Sequence, residues 1–85
     1  MEKSGTVRVF IVEDSPVIRE RLTESVSSPG RIEVVGYAES EANALAALRH
    51  AEWAAVILDL QLKEGNGLRV LKALREGREG KLVIV

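Results

Sequence analysis

The sequence lacks cysteine altogether and has a single histidine, His50, among its 85 residues. Without cysteine the chain can form neither disulfides nor cysteine-ligated metal centres, which is compatible with a reducing compartment. His50 has no second histidine with which to share a metal ion. The chain also lacks a long hydrophobic run, because the apolar stretch that begins at Val7 is too short for a signal sequence or a membrane span. We therefore expect a cytoplasmic protein with no membrane partner.

An excess of charge of one sign is also missing. Lysine and arginine together number 12 against 13 aspartate and glutamate residues, so no strong positive field is available to hold nucleic acid through its phosphates. We expect no nucleic-acid partner. The chain is 46% hydrophobic and 29% charged, a balance typical of a globular protein. At this length we expect one domain over residues 1–85.

The chain contains four apolar segments that are rich in β-branched residues. Short continuous apolar runs of this kind are typical of strands buried on both faces of a parallel sheet. The predicted strands are Val7–Val12, Ile32–Ala38, Ala55–Leu60 and Lys81–Val85. Segments with helical periodicity separate them, and this alternation predicts right-handed crossovers and a doubly wound α/β fold with the element order βαβαβαβ.

The first predicted helix has a clear beginning and one apolar stripe. Ser15 can cap free backbone N–H groups, and Pro16 loses no hydrogen bond at the first helical position. The stripe consists of Ile18, Leu22 and Val26, and the polar residues off it are Arg19, Glu20 and Glu24. This pattern predicts an amphipathic helix whose apolar stripe does not include Arg19.

The other two helices are predicted from similar signals. A possible cap at Ser40 precedes an alanine- and leucine-rich segment that runs through Arg49, and Trp53 is expected to pack where that helix returns to the sheet. The third helix follows Gly67. We expect its apolar face to contain Leu68, Leu71 and Leu74, and a turn bracketed by Gly77 and Gly80 to lead into the last strand.

Three carboxylates stand at predicted strand ends, where ligands of doubly wound sheets bind. Glu13 and Asp14 close the first strand, and Asp59 lies near the end of the third. A single aspartate there is usually a loop or capping residue, but the pair and Asp59 together are more specific. If the two strands are neighbours, the three charges repel unless a cation joins them. An all-oxygen set favours Mg²⁺ or Mn²⁺, bound weakly.

The segments VFIVEDSPVIR, AVILDLQLKEGNGLRVL and KLVIV resemble the receiver domains of two-component response regulators, over about Val7 to Val85. The resemblance implies a flavodoxin-like sheet of order 2-1-3-4 and Asp59 as the acceptor of phosphate from a histidine kinase or phosphotransfer protein. It also implies that Asp14 ligates Mg²⁺ directly, Glu13 directly or through water, and Gln61 through its backbone carbonyl.

A complete receiver continues through a switch serine or threonine, a fourth helix, a fifth strand with an essential lysine, and a fifth helix. Since the sequence ends at Val85, we interpret it as a receiver truncated after the fourth strand. Two functions stay open: phosphorelay signalling through Asp59, or a non-switching module for protein association. An enzyme is not expected, because a phosphohydrolase using Asp59 would want a second aspartate where Gln61 stands.

The last strand is the expected site of self-association. Leu82, Val83, Ile84 and Val85 form an apolar edge without charge or proline, which natural proteins seldom leave unpaired. We expect these residues to form the interface of a dimer or a closed ring.

Overall fold

Four strands and three helices alternate along the chain in the computed structural model, which describes residues 5–50, 52–77 and 81–85. The strands are β1 (Val7–Val12), β2 (Ile32–Ala38), β3 (Ala55–Leu58) and β4 (Leu82–Ile84), and the helices are α1 (Pro16–Val26), α2 (Glu41–His50) and α3 (Gly67–Gly77). The predicted element order is confirmed. No helix within the described ranges has the length and apolar character needed to cross a bilayer.

The strands form one parallel sheet in the order β2-β1-β3-β4, so the flavodoxin-like order 2-1-3-4 is confirmed. β1 lies between β2 and β3, and Val12 is paired with Leu58 at the carboxyl ends of β1 and β3. Just beyond this last pair, the N–H of Asp59 donates a hydrogen bond to the carbonyl of Val12 at 2.9 Å. The segments that follow β1 and β3 therefore leave the sheet side by side.

Helices cover both faces of the sheet, which explains why β1 is apolar over most of its length. On one face, residues of α2 and α3 pack with β1, β2 and β3 in the larger core. Its fully buried members include Phe10, Val12, Ala44, Val56 and Val70. On the other face, Leu22 of α1 packs against Val9, Ile11 and Ala55. β1 is thus enclosed from both sides, as the continuous apolar run predicts.

The predicted helix faces are only partly right. In α1 no residue is fully buried, and Ile18 of the predicted stripe is exposed, because α1 is the only helix of the described ranges that contributes to the core on its face of the sheet. In α3, Val70 and Leu74 are buried one turn apart, whereas Leu68 is exposed. Leu68 lies two positions before Val70, which places the two side chains on nearly opposite sides of a helix with about 3.6 residues per turn.

The second helix returns to the sheet as predicted. Ser40 caps α2 by accepting a hydrogen bond from the N–H of Asn43 at 3.2 Å. Trp53 is buried, and its indole N–H donates to the carbonyl of Leu48 at 3.1 Å. Lys81, the first residue of the predicted fourth strand, lies over the Trp53 ring, with Nζ 4.5 Å from the ring centroid.

Two predicted strands are too long. β3 ends at Leu58 rather than Leu60, and β4 covers Leu82–Ile84 rather than Lys81–Val85. β4 is paired along one side only, from Ala55 with Leu82 to Ile57 with Ile84, so its length is set by its partner rather than by its own apolar run. Gly80 of the predicted turn lies outside the described residues, and Gly77 is the last residue of α3.

Candidate functional site

The three acids expected at the strand ends lie together. Glu13 and Asp14 follow β1 directly, Asp59 follows β3 directly, and these strands are hydrogen-bonded neighbours. Each residue offers one carboxylate oxygen to a group whose oxygens all lie within 4.8 Å of one another. Glu13 is buried, with 7% of its surface exposed, while Asp14 and Asp59 are half-buried. Residues separated by more than forty positions thus form one acidic cluster, which we define as Glu13, Asp14 and Asp59.

Backbone N–H groups orient each carboxylate of the acidic cluster. The three hydrogen bonds run from Ser15 to Oε2 of Glu13 at 3.2 Å, from Lys63 to Oδ2 of Asp14 at 2.6 Å, and from Gln61 to Oδ1 of Asp59 at 2.9 Å. Each bond engages one oxygen of the acid, and Glu13 also shares a side-chain hydrogen bond with Asp14. The three carboxylates are therefore held in place by hydrogen bonds from the backbone.

The electrostatics of the cluster are unfavourable without a cation. Burial raises the pKa of the Glu13 carboxyl above its ordinary value of 4.5, and the negative charges of Asp59 and Asp14 raise it further. The hydrogen bond from Ser15 works in the opposite direction and lowers that pKa. Within the described ranges, no ion pair includes any of the three acids. A bound cation would relieve the mutual repulsion.

The donor set fits a hard divalent ion. Oxygens that ligate one Mg²⁺ lie at most about 4.2 Å apart, twice the usual ligand distance of about 2.1 Å, and the cluster spans up to 4.8 Å. A small inward movement, or a water between one acid and the ion, brings the set into that range. Mg²⁺ usually keeps several waters, so such an arrangement is ordinary for it.

The loop after β3 packs tightly against the cluster. A Cβ atom added to Gly67 would collide with the backbone carbonyl of Asp59 and with the backbone of Leu60. The start of α3 therefore rests directly on the segment that carries Asp59. Asn66 caps this helix, since its Oδ1 accepts a hydrogen bond from the N–H of Leu68 at 2.7 Å. Glycine at position 67 is what permits the close approach.

Glu41, the first residue of α2, fixes the same loop from the other side, which sequence reasoning missed. Its N–H donates to the carbonyl of Glu64 at 3.0 Å, and its Oε1 accepts from the N–H of Asn66 at 2.9 Å. Gly65 between them has a φ of +97° and faces the Glu41 side chain closely. An acidic residue at a helix start is usually explained by its favourable interaction with the helix dipole, so no local pattern indicates this role of Glu41.

Gln61 and the end of the chain lie beside the cluster. Gln61 is exposed, and its N–H is bound to Asp59; its carbonyl as a metal ligand stays a prediction. An open recess of about 410 Å³ contains Glu13, Asp59, Gln61 and Val85 in its lining. Among the predicted interface residues, Leu82, Ile84 and Val85 are exposed and Val83 is half-buried.

Arg19 is a second residue whose contacts the sequence pattern does not indicate. The pattern places it off the apolar stripe, yet only 12% of its side chain is exposed. Its guanidinium contacts the carboxyl ends of β1 and β2 rather than water. A lone arginine one turn into an amphipathic helix is usually solvated, so nothing in the pattern distinguishes this one.

Comparisons with known sequences agree on one family. A profile described as response regulator receiver domain matches residues 9–85. A protein-glutamate methylesterase/protein-glutamine glutaminase of Agrobacterium fabrum is 32% identical over 82 residues, which are 96% of this chain and 23% of that protein. The DNA-binding transcriptional activator DevR/DosR of Mycobacterium tuberculosis is 35% identical over 68 residues, 80% of this chain and 31% of that protein. The chain thus spans less than a third of either relative.

Solved structures give the same result for the fold. The response regulator domain of Thermotoga maritima CheB superposes with a TM-score of 0.80 at 25% identity, covering 92% of this chain and 57% of that one. The PhyR response regulator REC domain of Erythrobacter litoralis superposes with a TM-score of 0.79 at 24% identity, covering 98% of this chain and 64% of that one. At that identity the second similarity concerns the fold alone.

Proposed function

This chain belongs to the response regulator receiver domain family of two-component signalling, as its sequence motifs predicted, and on that premise we propose that Asp59 is its phosphoacceptor. The observation that carries the proposal is the acidic cluster, in which Asp59 from β3 lies within 4.8 Å of the acids from β1. The position of Asp59 at the carboxyl end of a central parallel strand supports the same role, because that edge is where such sheets bind ligands.

The proposed chemistry uses Asp59 as a nucleophile. Oδ1 accepts the hydrogen bond from Gln61, so Oδ2 is the oxygen that attacks the phosphorus atom of the donor. A bond from Oδ2 to phosphorus forms, and the bond from phosphorus to the donor's leaving atom breaks. A carboxylate is already ionised near neutral pH, so it needs no general base. The half-buried position of Asp59 beside an open recess leaves room for the donor.

We assign the metal site to Glu13, Asp14 and Asp59, with the backbone carbonyl of Gln61 as a further ligand. The ion is Mg²⁺ or Mn²⁺, held weakly. When bound, it supplies positive charge that offsets the acids and the oxygens of the transferring phosphoryl group. Burial is the main cause of the raised pKa of Glu13, and the repulsion from Asp59 and Asp14, which a cation relieves, raises that pKa further.

The proposed donor is a histidine kinase or a phosphotransfer protein. The chain serves as the acceptor rather than as an enzyme, and the cytoplasmic location expected from the sequence belongs to the same proposal. The methylesterase and DNA-binding activities of the two relatives belong to proteins of which this chain matches less than a third. We assign neither activity to these 85 residues.

A small phosphodonor such as acetyl phosphate tests the role of Asp59 without a kinase. We expect slow labelling over hours that requires Mg²⁺, since within the described ranges no ion pair places a cation on Asp59. Reduction of the acyl phosphate with borohydride, followed by peptide mass spectrometry, identifies the labelled residue. The result expected is label at Asp59 that disappears in Asp59→Asn and with chelator. Label that is independent of Mg²⁺, or that lies on other residues, contradicts the proposal.

The alternative function is an association module, and one observation favours it. Among the residues that the structure describes, β4 is hydrogen-bonded to β3 alone, and Leu82, Ile84 and Val85 are 57%, 46% and 66% exposed. In a polypeptide of these 85 residues, pairing of two copies of β4 would cover the unpaired backbone groups and this apolar surface together. The proposed interface is Leu82, Val83, Ile84 and Val85, in a dimer or a closed ring.

A further inference from the structure

The Arg19 side chain joins three elements at the carboxyl edge of the sheet. From α1, its Nη1 donates to the backbone carbonyl of Glu13 at 3.0 Å, just beyond β1. The same nitrogen forms an ion pair with Glu39, just beyond β2, at 2.9 Å. Its guanidinium carbon lies 4.1 Å from the centroid of the Tyr37 ring on β2. These three contacts account for the low exposure of the side chain, 12%.

The carbonyl that Arg19 holds belongs to the peptide bond between Glu13 and Asp14. The plane of that peptide sets ψ of Glu13 and φ of Asp14, and hence the direction of one acid relative to the other. The other side of Glu13 is also fixed, because its N–H donates to the carbonyl of Ala38 on β2 at 3.0 Å. With its N–H held by β2 and its carbonyl by Arg19, the residue cannot rotate about its backbone without breaking one of these bonds.

Arginine is suited to this combination of contacts. Its planar guanidinium can stack on an aromatic ring and donate hydrogen bonds within its own plane at the same time. The carboxylate of Glu39 forms an ion pair with Nη1 of Arg19, and its negative charge offsets that of the guanidinium. A lysine at this position would retain the positive charge and could reach one acceptor, but it would lose the stacked, planar arrangement over Tyr37.

We propose that Arg19 is a positioning residue for the metal ligands, which acts by fixing the peptide between Glu13 and Asp14. This inference rests on the proposed metal site. It also predicts a change in cation affinity opposite in direction to the change that simple electrostatics predicts. Removal of a positive charge near three acids should strengthen the binding of a cation by Coulomb's law, whereas removal of a positioning contact should weaken it, typically tenfold or more for groups that orient metal ligands.

The experiment compares Mg²⁺ affinity in Arg19→Met, Arg19→Lys and the wild-type chain by NMR titration of the Gln61 amide. The matched control is Arg21→Met, the same substitution at an exposed position of the same helix. We expect Arg19→Met to bind Mg²⁺ about tenfold more weakly, Arg19→Lys to lie between it and wild type, and Arg21→Met to bind as tightly as wild type or slightly more tightly.

A purely structural role would lower the unfolding free energy of Arg19→Met without changing the Mg²⁺ affinity of the folded protein. Unchanged or tighter binding in both Arg19 variants overturns the inference. A second readout needs no metal: the three-bond coupling between the amide and α protons of Asp14 reports its φ directly. We expect this coupling to change in Arg19→Met and not in Arg21→Met. If the wild-type chain fails to bind Mg²⁺, the proposed metal site fails, and an unchanged coupling then overturns the positioning role as well.

Discussion

The backbone N–H of Lys63 donates a 2.6 Å hydrogen bond to the carboxylate of Asp14, which joins the loop after β3 to the end of β1. Asp59 is tied to the same loop through the N–H of Gln61. Two of the three clustered acids thus accept hydrogen bonds from a single loop. Any change in the charge or ligation of these acids should therefore alter the hydrogen bonds of residues 61–63 directly.

Replacement of Gly67 by alanine should loosen this loop. The added Cβ would collide with the backbone carbonyl of Asp59, and backbone atoms cannot move aside as a flexible side chain can. We expect a loss of about 1–3 kcal/mol in unfolding free energy, the usual cost of overpacking, measured by urea denaturation with the fluorescence of Trp53, the single tryptophan.

Gly36→Ala is the matched control for that measurement. The atoms nearest to a Cβ there belong to the ring of Phe10, the first at 3.0 Å, and a side chain can adjust by a few tenths of an ångström. The loss in Gly36→Ala should be smaller. Equal losses in the two variants would show that the contact between Gly67 and the Asp59 carbonyl has no special weight.

Glu13→Gln should stabilise the metal-free chain above pH 4.5. Burial and the neighbouring acids raise the pKa of Glu13 in the folded state above its ordinary value of 4.5. Below that pH both states are protonated, and Glu13 contributes nothing to the pH dependence. As pH rises from 4.5 through the raised pKa, the unfolded chain releases a proton that the folded chain retains, so stability falls. Glutamine has no such proton to lose.

The difference in unfolding free energy between Glu13→Gln and wild type should therefore grow from pH 4.5 toward neutral pH and then level off. Urea titrations at several pH values in the presence of chelator measure it. Glu24→Gln, at an exposed position of α1, is the control for the substitution itself. A difference that is constant or shrinks as pH rises would falsify the electrostatic description of the cluster.

The exposed edge of β4 predicts association of the 85-residue polypeptide. Light scattering at micromolar concentration should give at least the mass of a dimer. Leu82→Lys should weaken the association, because a charge at an exposed edge position opposes strand pairing. Val35→Lys, at an exposed position of the opposite edge strand β2, should leave it intact. A compact monomer in the wild-type chain contradicts the prediction, and equal effects of both lysines exclude β4 as the interface.

Local signals in the sequence were sufficient to predict the order of the strands and helices along the chain. Ser15 and Ser40 cap the helices they were expected to cap, and the acids after β1 and β3 meet because parallel strands end at the same edge. Helix caps depend on residues that are close in the chain, and the meeting of the acids depends on the direction of the strands. Both can be predicted from the sequence pattern.

Features that depend on distant packing could not be predicted. The helical pattern places Arg19 off the apolar stripe, but Tyr37 on β2 and Glu39 just beyond that strand enclose its side chain. From the sequence, Glu41 is an ordinary acidic residue in the first turn of a helix. The loop that it binds lies more than twenty positions away in the chain. β3 stops at Leu58 because its pairing with β1 ends at that residue. Each of these outcomes is set by a partner that no local pattern identifies.

Titration of the wild-type chain with Mg²⁺, followed by amide NMR shifts, tests the central claim most directly. The account predicts saturable shifts at millimolar Mg²⁺ for Asp14, Gln61 and Lys63, whose N–H groups lie in or against the acidic cluster, and no shift at Trp53, which packs against the carboxyl end of α2. Asp59→Asn should weaken the binding, since it removes one of the three negative charges. Shifts that are absent at millimolar Mg²⁺, or that survive unchanged in Asp59→Asn, would contradict the account.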